Sequence, residues 1–282
     1  MQLIAKFAMR SPLHAIGISM VAASIPLFGW VSAAIVALVV MSQGLKSGGI
    51  VFLWTLIPFG MALYYSGDPT SIYLMLAVAA LGASLRSKLA WEHVLVFALL
   101  LSFLGAYVYQ SMATDILRHL VTIYLQLLSG IEGVGAIGES EAMEMLLAGY
   151  ALVLYLAMIA LLSLARWCQS RLYNPSGFRN EFHSLRFPAQ ISLVVVLMVF
   201  VCLIFKDKLG VWIPLLGAPL LIAGLGFVHW IFAKTETSVY WLVGFYAMLL
   251  VFFQIFYPML TSLAILDSFL NLRGRYKFDQ KE

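Results

Sequence analysis

The stretch "MLLAGYALVLYLAMIALLSLARW", residues 145–167, indicates what kind of fold this chain adopts. It contains no charged residue before Arg166. A helix needs about 20 apolar residues to cross the ~30 Å hydrocarbon core of a bilayer, and this stretch is long enough. Its apolar residues are continuous rather than alternating with polar ones, which favours a helix over a strand of a membrane barrel. We therefore interpret residues 145–167 as a membrane-spanning helix.

The composition of the whole chain agrees with this interpretation. Of the 282 residues, 63% are hydrophobic and only 11% are charged. A soluble domain carries roughly 25% charged residues, so this chain has too few to cover a water-exposed surface. The fold class that we predict is all-α, a polytopic helical membrane protein with about 8–10 transmembrane helices.

Further apolar stretches flank residues 145–167 on both sides. On the N-terminal side we predict helices at about 11–26, 30–43, 49–65, 70–85 and 92–110. Lys6 and Arg10 precede the first of them as in a signal peptide, but we expect that segment to be retained as a span. On the C-terminal side we predict helices at about 189–205 and 211–233 and an apolar region at 238–270. That region would be roughly 50 Å long as one helix, so we expect it to break at Pro258.

Two polar segments divide the chain. Residues 111–144 hold five carboxylates and one arginine, a formal charge of −4. Within them, "TDILRHLVTIYLQLL" has apolar residues at helical spacing and predicts a helix along the membrane surface. We therefore expect a six-helix membrane unit at 1–168 with an acidic extracytoplasmic insert at 111–144. A cytoplasmic interfacial linker helix at 169–188 and C-terminal helices with a basic tail at 189–282 would follow.

The distribution of Lys and Arg predicts the orientation, because these residues are enriched in cytoplasmic loops. An N-terminus in the cytoplasm puts ten of them inside and leaves Arg118, Lys206 and Lys208 outside. The basic tail "RGRYKFDQKE" favours the cytoplasm, although nine spans would place it outside. Because Lys and Arg mark the cytoplasmic side of a membrane protein, we do not interpret the net charge of +4 as a sign of nucleic-acid binding.

Motifs of enzymes and of cofactor sites are missing. "GVGAIG" at 133–138 has the spacing of a dinucleotide-binding loop, but it lies in the acidic insert and not between a strand and a helix. No ATPase motif, HExxH or GxSxG is present, and the five histidines lie on different segments. Cys168 and Cys202 have no CxxC partner. We therefore expect no enzymatic activity, no cofactor and no metal.

Polar residues inside the apolar regions are candidates for function, because they are costly in a membrane. We assign a candidate intramembrane polar site to Asp267, His229 and Gln254. A buried carboxylate needs a cation or hydrogen-bond donors, but Arg273 is six residues from Asp267, which is not a same-face helical spacing. Asp267 is therefore either a structural anchor paired at a helix end or with another helix, or a proton or ligand site.

The segment "NPSGFRNEFHSLRFP", residues 174–188, predicts a short helix at the membrane interface. Pro175 and Gly177 favour a turn, and Phe178, Phe182 and Leu185 share one helical face. The segment is either an interfacial turn or a docking surface, and a catalytic loop is disfavoured. The residues that we assign to docking are Asn174, Gly177, Phe178, Arg179, Phe182, Arg186 and Arg273.

These residues also carry a family resemblance. "NPSGFRNEFHSLRFP", "GLGFVHW" and "LAILDSFLNLRGR" resemble motifs of the YybS-like family of uncharacterised bacterial membrane proteins. The matching residues are Asn174, Pro175, Gly177, Phe178, Phe182, Leu185, Arg186, Pro188, Gly224, His229, Asp267, Phe269 and Arg273. The resemblance implies a multi-pass protein of the bacterial inner (cytoplasmic) membrane. It also implies a similarity in layout of the first six helices to substrate-binding subunits of energy-coupling-factor vitamin transporters and to MreD. About three extra helices and the acidic insert depart from those subunits.

Two hypotheses about function follow. The first is a non-enzymatic membrane protein that binds a small molecule or lipid as a transport component, working with partners. The alternative is a membrane scaffold for a cytoplasmic or envelope complex, suggested by its basic cytoplasmic segments. A proton-coupled transporter that uses Asp267 and His229 is a third possibility. The partners we expect are membrane lipids and a protein on the cytoplasmic side.

Overall fold

A computed structural model of the chain describes residues 1–130 and 137–275. Every regular element within these residues is a helix, and they contain no strand. The predicted all-α fold class is therefore confirmed. Most of "GVGAIG" and the charged end of the basic tail, with Lys277 and Lys281, lie outside the described residues.

The chain divides into two compact units, Met1–Ser176 and Gly177–Glu282. This boundary lies inside the segment 169–188 that we predicted to be one linker helix. The prediction of a single linker is wrong, because the last helix of the first unit continues to Tyr173 and a new helix begins at Gly177. No helix-breaking residue occurs between 169 and 173, whereas Asn174 and Pro175 end the helix.

The first unit contains eight helices in its described residues. They are α1 (Gln2–Ala8), α2 (Pro12–Ser24), α3 (Gly29–Gln43), α4 (Leu45–Ser66), α5 (Thr70–Arg86), α6 (Trp91–Met112), α7 (Thr114–Ser129) and α8 (Glu139–Tyr173). Helix α3 is the centre of the unit, since it packs against α2, α4, α5 and α8. Its residues 31–41 are all buried, on every face of the helix. A helix that is apolar all round is typical of such a central position.

Helix α7 corresponds to the stretch that we predicted to lie along the membrane surface. It buries Leu117 and Val121 and packs against α6 and α8. One contact of α7 with α8 is made by Tyr124, whose hydroxyl lies 3.7 Å from the Met145 sulfur. Helix α8 then begins at Glu139, so Glu139, Glu141 and Glu144 belong to its first turns rather than to a loop. Acidic residues in the first turn stabilise a helix by offsetting the partial positive charge there.

The second unit is built around one long helix. Its elements are α9 (Gly177–Ser184), α10 (Ala189–Ile204), α11 (Lys206–Leu209), a 3-10 turn (Gly210–Trp212), α12 (Ile213–Lys234), α13 (Val239–Val251), α14 (Phe253–Leu270) and α15 (Leu272–Arg275). Helix α12 packs against α9, α10 and α14. Two glycines allow this: a Cβ atom on Gly224 would lie 2.4 Å from the Leu260 carbonyl oxygen, and one on Gly226 would lie 2.7 Å from the Phe182 carbonyl oxygen. Small residues let the backbones of membrane helices approach closely.

The last apolar region is broken, but not at the predicted position. The break lies at Phe252, between α13 and α14, and Pro258 lies inside α14. Our assignment of the break to Pro258 is therefore wrong. Pro258 is the sixth residue of α14, where it removes one intrahelical hydrogen bond without ending the helix.

Within the residues that the structure describes, five helices are long and apolar enough to cross a membrane: α4, α6, α8, the continuous stretch Lys206–Lys234 and α14. Helices α9 and α10 are long and apolar enough to cross a membrane only when taken together, and the pair is bent by 60°. Four shorter apolar helices are α2, α3, α5 and α13. These helices fit a polytopic membrane protein, and the predicted number of 8–10 spans requires several of the short helices to cross as well.

Candidate functional site

Polar groups converge in the second unit where α14 ends. Asp267, in the last turn of α14, is 1% exposed, and Arg273 lies against it with its side chain 11% exposed. The Arg273 Nε and the Asp267 Oδ2 are 2.9 Å apart. The Arg273 backbone N–H also donates to the Asp267 Oδ1 at 3.4 Å. The buried carboxylate is therefore paired with a cation, as the free energy of burying a charge requires.

This pairing depends on a turn at Asn271. Helix α14 ends at Leu270, and Asn271 adopts a left-handed conformation with φ 50° and ψ 55°. The Asn271 N–H donates to the Asp267 carbonyl oxygen at 3.0 Å and closes the helix end. Asparagine is one of the few residues other than glycine that tolerates this conformation. The reversal brings Arg273 back to Asp267, which is the pairing at a helix end that the sequence left open.

Arg273 also contacts two other helices of the unit. Its guanidinium donates to the carbonyl oxygen of His183, at the C-terminal end of α9. Its Cζ lies 5.2 Å from the centre of the Phe227 ring on α12, a cation–π distance. The last carbonyl oxygens of a helix lack intrahelical partners and attract a cation. Arg273 therefore connects the end of α14 with α9 and α12.

Two further hydrogen bonds reinforce the same region. The Arg186 guanidinium, in the bend between α9 and α10, donates to the Asn271 side-chain oxygen. The Ser192 hydroxyl donates to the Ser268 hydroxyl at 2.8 Å, which links α10 with α14. The predicted residues Arg186, Arg273 and Asp267 thus belong to one polar network.

A pocket opens beside this network, and we call it the histidine pocket. Its volume is about 590 Å³, and its lining residues come from α9, α12, the following turn and α13: Arg179, His183, His229, Phe232, Ala233, Glu236, Thr237, Val239 and Leu242. The rings of His183 and His229 are 6.4 Å apart. The pocket therefore combines imidazole, guanidinium and carboxylate groups with apolar side chains.

The position of His229 is fixed by two aromatic neighbours. Its Nε2 lies 2.7 Å from the Tyr246 hydroxyl on α13, a hydrogen-bond distance. The Phe182 ring meets the imidazole edge-on at 5.2 Å. Phe182 in turn stacks on Phe178, with ring centres 6.0 Å apart. The aromatic face of α9 that the sequence predicted thus packs against His229.

His183 differs from His229 because it lies on the polar helix α9, outside the apolar spans. Burial lowers the pKa of its imidazole below the ordinary value, and nearby cationic groups, first among them Arg179, lower it further. Arg179 itself is exposed. At neutral pH the arrangement offers a fixed positive charge from Arg179 next to imidazoles that can donate or accept hydrogen bonds. Among the described residues, no group of three or more His, Cys, Asp and Glu side chains is placed to hold a metal ion.

The remaining predicted residues lie apart from the pocket. Gln254 is exposed in the first turn of α14, and thirteen residues of helix separate it from Asp267, about 20 Å along the axis. Asn174 belongs to the first unit, where its carbonyl oxygen accepts a hydrogen bond from the Ser170 hydroxyl at 2.7 Å. Gly177 begins α9. The structure therefore does not bring Gln254 together with Asp267.

Sequence reasoning did not identify four residues of this region, namely His183, Glu236, Tyr246 and Asn271. His183 stood in the quoted segment, one residue after Phe182, and its position next to an aromatic helical face was the available signal. Glu236 and Tyr246 come from α13 and the turn before it, and no sequence pattern places them beside α9. Asn271 directly after an apolar helix was a sign of a C-terminal cap.

Comparison with models of protein families, with curated proteins and with solved structures finds no match to this chain. The resemblance to the YybS-like family thus stays a prediction.

Proposed function

We propose that the protein is a non-enzymatic membrane component that binds a small amphiphilic molecule in its second unit and takes part in its transport together with partner proteins. The observation that carries this proposal is the histidine pocket. Its volume of about 590 Å³ lies in the range typical of small-molecule sites. It presents both charged and apolar groups to one ligand.

The lining suits a molecule with a polar head and an apolar body. Arg179 can pair with an anionic group such as a phosphate or carboxylate. His183 and His229 can hydrogen-bond the same group. Phe232, Val239 and Leu242 offer an apolar surface for the rest of the molecule. A lipid or a lipid-like small molecule has this division, and lipids surround the apolar helices of the protein.

The bend between α9 and α10 brings polar side chains to the pocket. The two helices meet at 60°, so the polar helix α9 turns away from the apolar helix α10. In this protein α9 supplies Arg179 and His183 to the pocket. The sequence has no ATPase motif, so an ATP-driven process would require a partner subunit.

The test is lipid binding by the purified full chain, measured by native mass spectrometry in mixed micelles. Phosphatidylglycerol serves as an anionic probe and phosphatidylcholine as a zwitterionic one. We expect phosphatidylglycerol to bind more tightly and Arg179→Gln to weaken its binding about tenfold, because a charge-assisted hydrogen bond contributes about 1.5–3 kcal/mol.

The matched control is Arg171→Gln. Arg171 is also an exposed arginine near a helix end, but it lies over the Trp167 ring in the first unit, with 5.6 Å between its Cζ and the ring centre. We expect this variant to bind phosphatidylglycerol like the wild type. Equal binding by all three proteins would refute the proposed site.

The alternative function is that of a membrane scaffold. It is favoured by the polar surface of α9, on which Arg179 and Asn180 are exposed. Purification in a mild detergent separates the two functions. A stable protein partner that is lost in Arg179→Glu, without any bound amphiphile, would favour the scaffold.

We also propose that the protein lies in the bacterial inner membrane with its N-terminus in the cytoplasm. The support is the Lys and Arg distribution and the family resemblance. Lys46 and Asp68 lie at opposite ends of α4 and are both exposed. In intact cells a membrane-impermeant maleimide should label Asp68→Cys but not Lys46→Cys, and the reverse result would invert the orientation.

A further inference from the structure

An apolar groove lies in the first unit, between α1, α2 and the start of α3, and its volume is about 640 Å³. Helix α2 forms one wall of it with residues that follow one another at spacings of four: Leu13, Gly17, Val21 and Ile25. Residues at this spacing share one face of a helix. The groove therefore runs along the whole of α2, for about 18 Å at a rise of 1.5 Å per residue. We call it the α2 groove.

The α2 groove is long and narrow. Its volume and length give a mean cross-section of about 36 Å². A helix with its side chains is about 10–12 Å in diameter and would need about 80–110 Å². The space at the middle of the groove is open, because a Cβ atom on Gly17 would meet nothing within 4 Å. These dimensions exclude a helix from the groove and suit a single hydrocarbon chain.

Cations lie at the end of the groove where α2 begins. The Arg10 Cζ lies 5.5 Å from the centre of the Phe7 ring, which lines the groove. The same ring meets the His14 imidazole edge-on at 4.6 Å. Lys6 lies four residues before Arg10, and both side chains are exposed. The first carboxylate in the sequence is Asp68, so no acidic residue of α1, α2, α3 or α4 neutralises this end.

The other end of the groove is apolar. Phe28 and Trp30 line it where α2 ends and α3 begins. Both rings are exposed in the protein alone, Phe28 by 51% and Trp30 by 40%. The groove therefore has a cationic end and an apolar length, like the two parts of an anionic lipid.

We propose that the α2 groove binds one acyl chain of an anionic membrane lipid whose phosphate lies against Arg10 and Lys6. A guanidinium matches phosphate oxygens in a bidentate geometry, and an ammonium group adds a second positive charge. Basic residues next to an apolar helix attract anionic headgroups. The walls of the groove enclose the chain between helices, which distinguishes this lipid from those on the open surface. This inference does not rest on the histidine pocket, which lies in the other unit.

The experiment measures lipid retention by the purified full chain in native mass spectrometry. Phosphatidylglycerol is the anionic probe, and phosphatidylcholine with the same acyl chains is the zwitterionic one. Arg10→Gln removes the charge at the end of the groove, and Gly17→Leu fills its middle. Every protein is measured with and without Arg179→Gln, which removes the proposed contact in the histidine pocket and so separates the two lipid sites.

Each variant has a matched control. For Arg10→Gln it is Arg171→Gln, because Arg171 is also exposed and its Cζ lies 5.6 Å from the centre of the Trp167 ring. For Gly17→Leu it is Gly149→Leu, because Gly149 on α8 is also exposed and a Cβ atom there would meet nothing within 4 Å.

We expect Arg10→Gln to weaken the binding of phosphatidylglycerol about tenfold and to leave phosphatidylcholine unchanged. Gly17→Leu should reduce the retention of both lipids, because it blocks the path of the acyl chain. Both controls should bind like the wild type.

Three outcomes would overturn the proposal. Gly17→Leu could retain both lipids as Gly149→Leu does, or Arg10→Gln could retain phosphatidylglycerol as Arg171→Gln does. The third is a wild type that has the mass of a dimer and becomes a monomer in Gly17→Leu, which would show that a second copy of the chain covers the groove. If Gly17→Leu does not fold, Arg10→Gln still decides the question, since the Arg10 side chain is exposed.

Discussion

Arg273 forms a buried ion pair with Asp267, six residues before it, because the chain reverses at Asn271 between them. On a continuous helix, residues six apart lie on different faces. The left-handed Asn271 ends α14 and returns the Arg273 side chain to the helix that it has just left. The same guanidinium donates to the His183 carbonyl oxygen on α9. The pair therefore fixes the geometry of one wall of the histidine pocket.

The first prediction concerns this ion pair. Arg273→Gln leaves the Asp267 carboxylate, which is 1% exposed, without its cation. Removing one partner of a buried pair costs about 3–5 kcal/mol. We expect a loss of this size in the free energy of unfolding, measured by titration with a denaturing detergent.

The double variant Asp267→Asn with Arg273→Gln is the control. It removes both charges, keeps the shape of the Asp267 side chain and leaves no buried charge unpaired, so we expect it to regain part of the lost stability. A double variant as unstable as Arg273→Gln alone would show that the pair does not explain the loss.

The Asp267→Asn single variant also addresses proton coupling, since unchanged pH-dependent flux would exclude Asp267 as a proton site.

The parts of this site that the sequence predicts are those that depend on a local pattern or on the cost of burying a charge. The interfacial helix α9 and its aromatic face followed from the spacing of Phe178 and Phe182, because that pattern is local. The need of Asp267 for a cation followed from the cost of a buried charge. The sequence did not identify this cation as Arg273, because residues six apart do not pair on a continuous helix and pairing requires a helix end or another helix. The left-handed conformation of Asn271 ends the helix and makes the pairing possible.

The fold shows the same division between local and long-range causes. Apolar stretches predicted the helices, because the length of a span is set by the bilayer. The break at Phe252 was not predictable, since "LVFFQI" contains neither glycine nor proline. We predicted the break at Pro258 because proline usually interrupts a helix, but Pro258 lies inside α14. Gly224 lies against the Leu260 carbonyl oxygen and Gly226 against that of Phe182, and these partners are distant in sequence, so no local pattern identifies them.

The second prediction uses the glycines of the second unit. A Cβ atom on Gly224 would lie 2.4 Å from the Leu260 carbonyl oxygen, whereas one on Gly244 would meet nothing within 4 Å. Gly224→Ala must push α12 and α14 apart, and overpacking of this kind costs about 1–3 kcal/mol. Gly244→Ala should be neutral or stabilise by up to about 1 kcal/mol, because alanine favours a helix. Equal unfolding free energies for the two variants would contradict the close approach of α12 and α14.

The third prediction is a dependence of stability on pH that comes from His183. Burial lowers the pKa of this imidazole in the folded protein, so the unfolded chain binds the proton more readily. The contribution of His183 to stability is therefore fully present above the unfolded pKa of about 6.5 and is lost as the pH falls through the lower folded value. We therefore expect the midpoint temperature of thermal unfolding to decrease as the pH is lowered from 7.5 to 5.

His183→Gln isolates this contribution, because it leaves the other four histidines of the chain unchanged. The midpoint temperature of the wild type minus that of the variant should be constant above pH 7 and should decrease below pH 6. A difference that stays constant over the whole range would mean that His183 is not protected from protonation by the fold.

The fourth prediction separates the two roles of Asn271. Its backbone is left-handed, and its side-chain oxygen accepts a hydrogen bond from Arg186. Asn271→Gly keeps the backbone conformation and loses only the side-chain bond. Asn271→Ala loses the bond and keeps a Cβ atom in the left-handed region without the polar side chain that helps asparagine to tolerate it, a cost of about 1–2 kcal/mol relative to glycine.

Arg186→Gln completes the comparison, since it removes the Arg186 guanidinium from the same hydrogen bond and leaves Asn271 unchanged. We expect Asn271→Ala to destabilise the protein most, with Asn271→Gly and Arg186→Gln similar to each other. These free energies of unfolding are measured side by side in one detergent. If Asn271→Gly were as unstable as Asn271→Ala, the side-chain bond rather than the backbone turn would position Arg273 against Asp267. Similar stability of the wild type and Arg186→Gln would limit Asn271 to its backbone role.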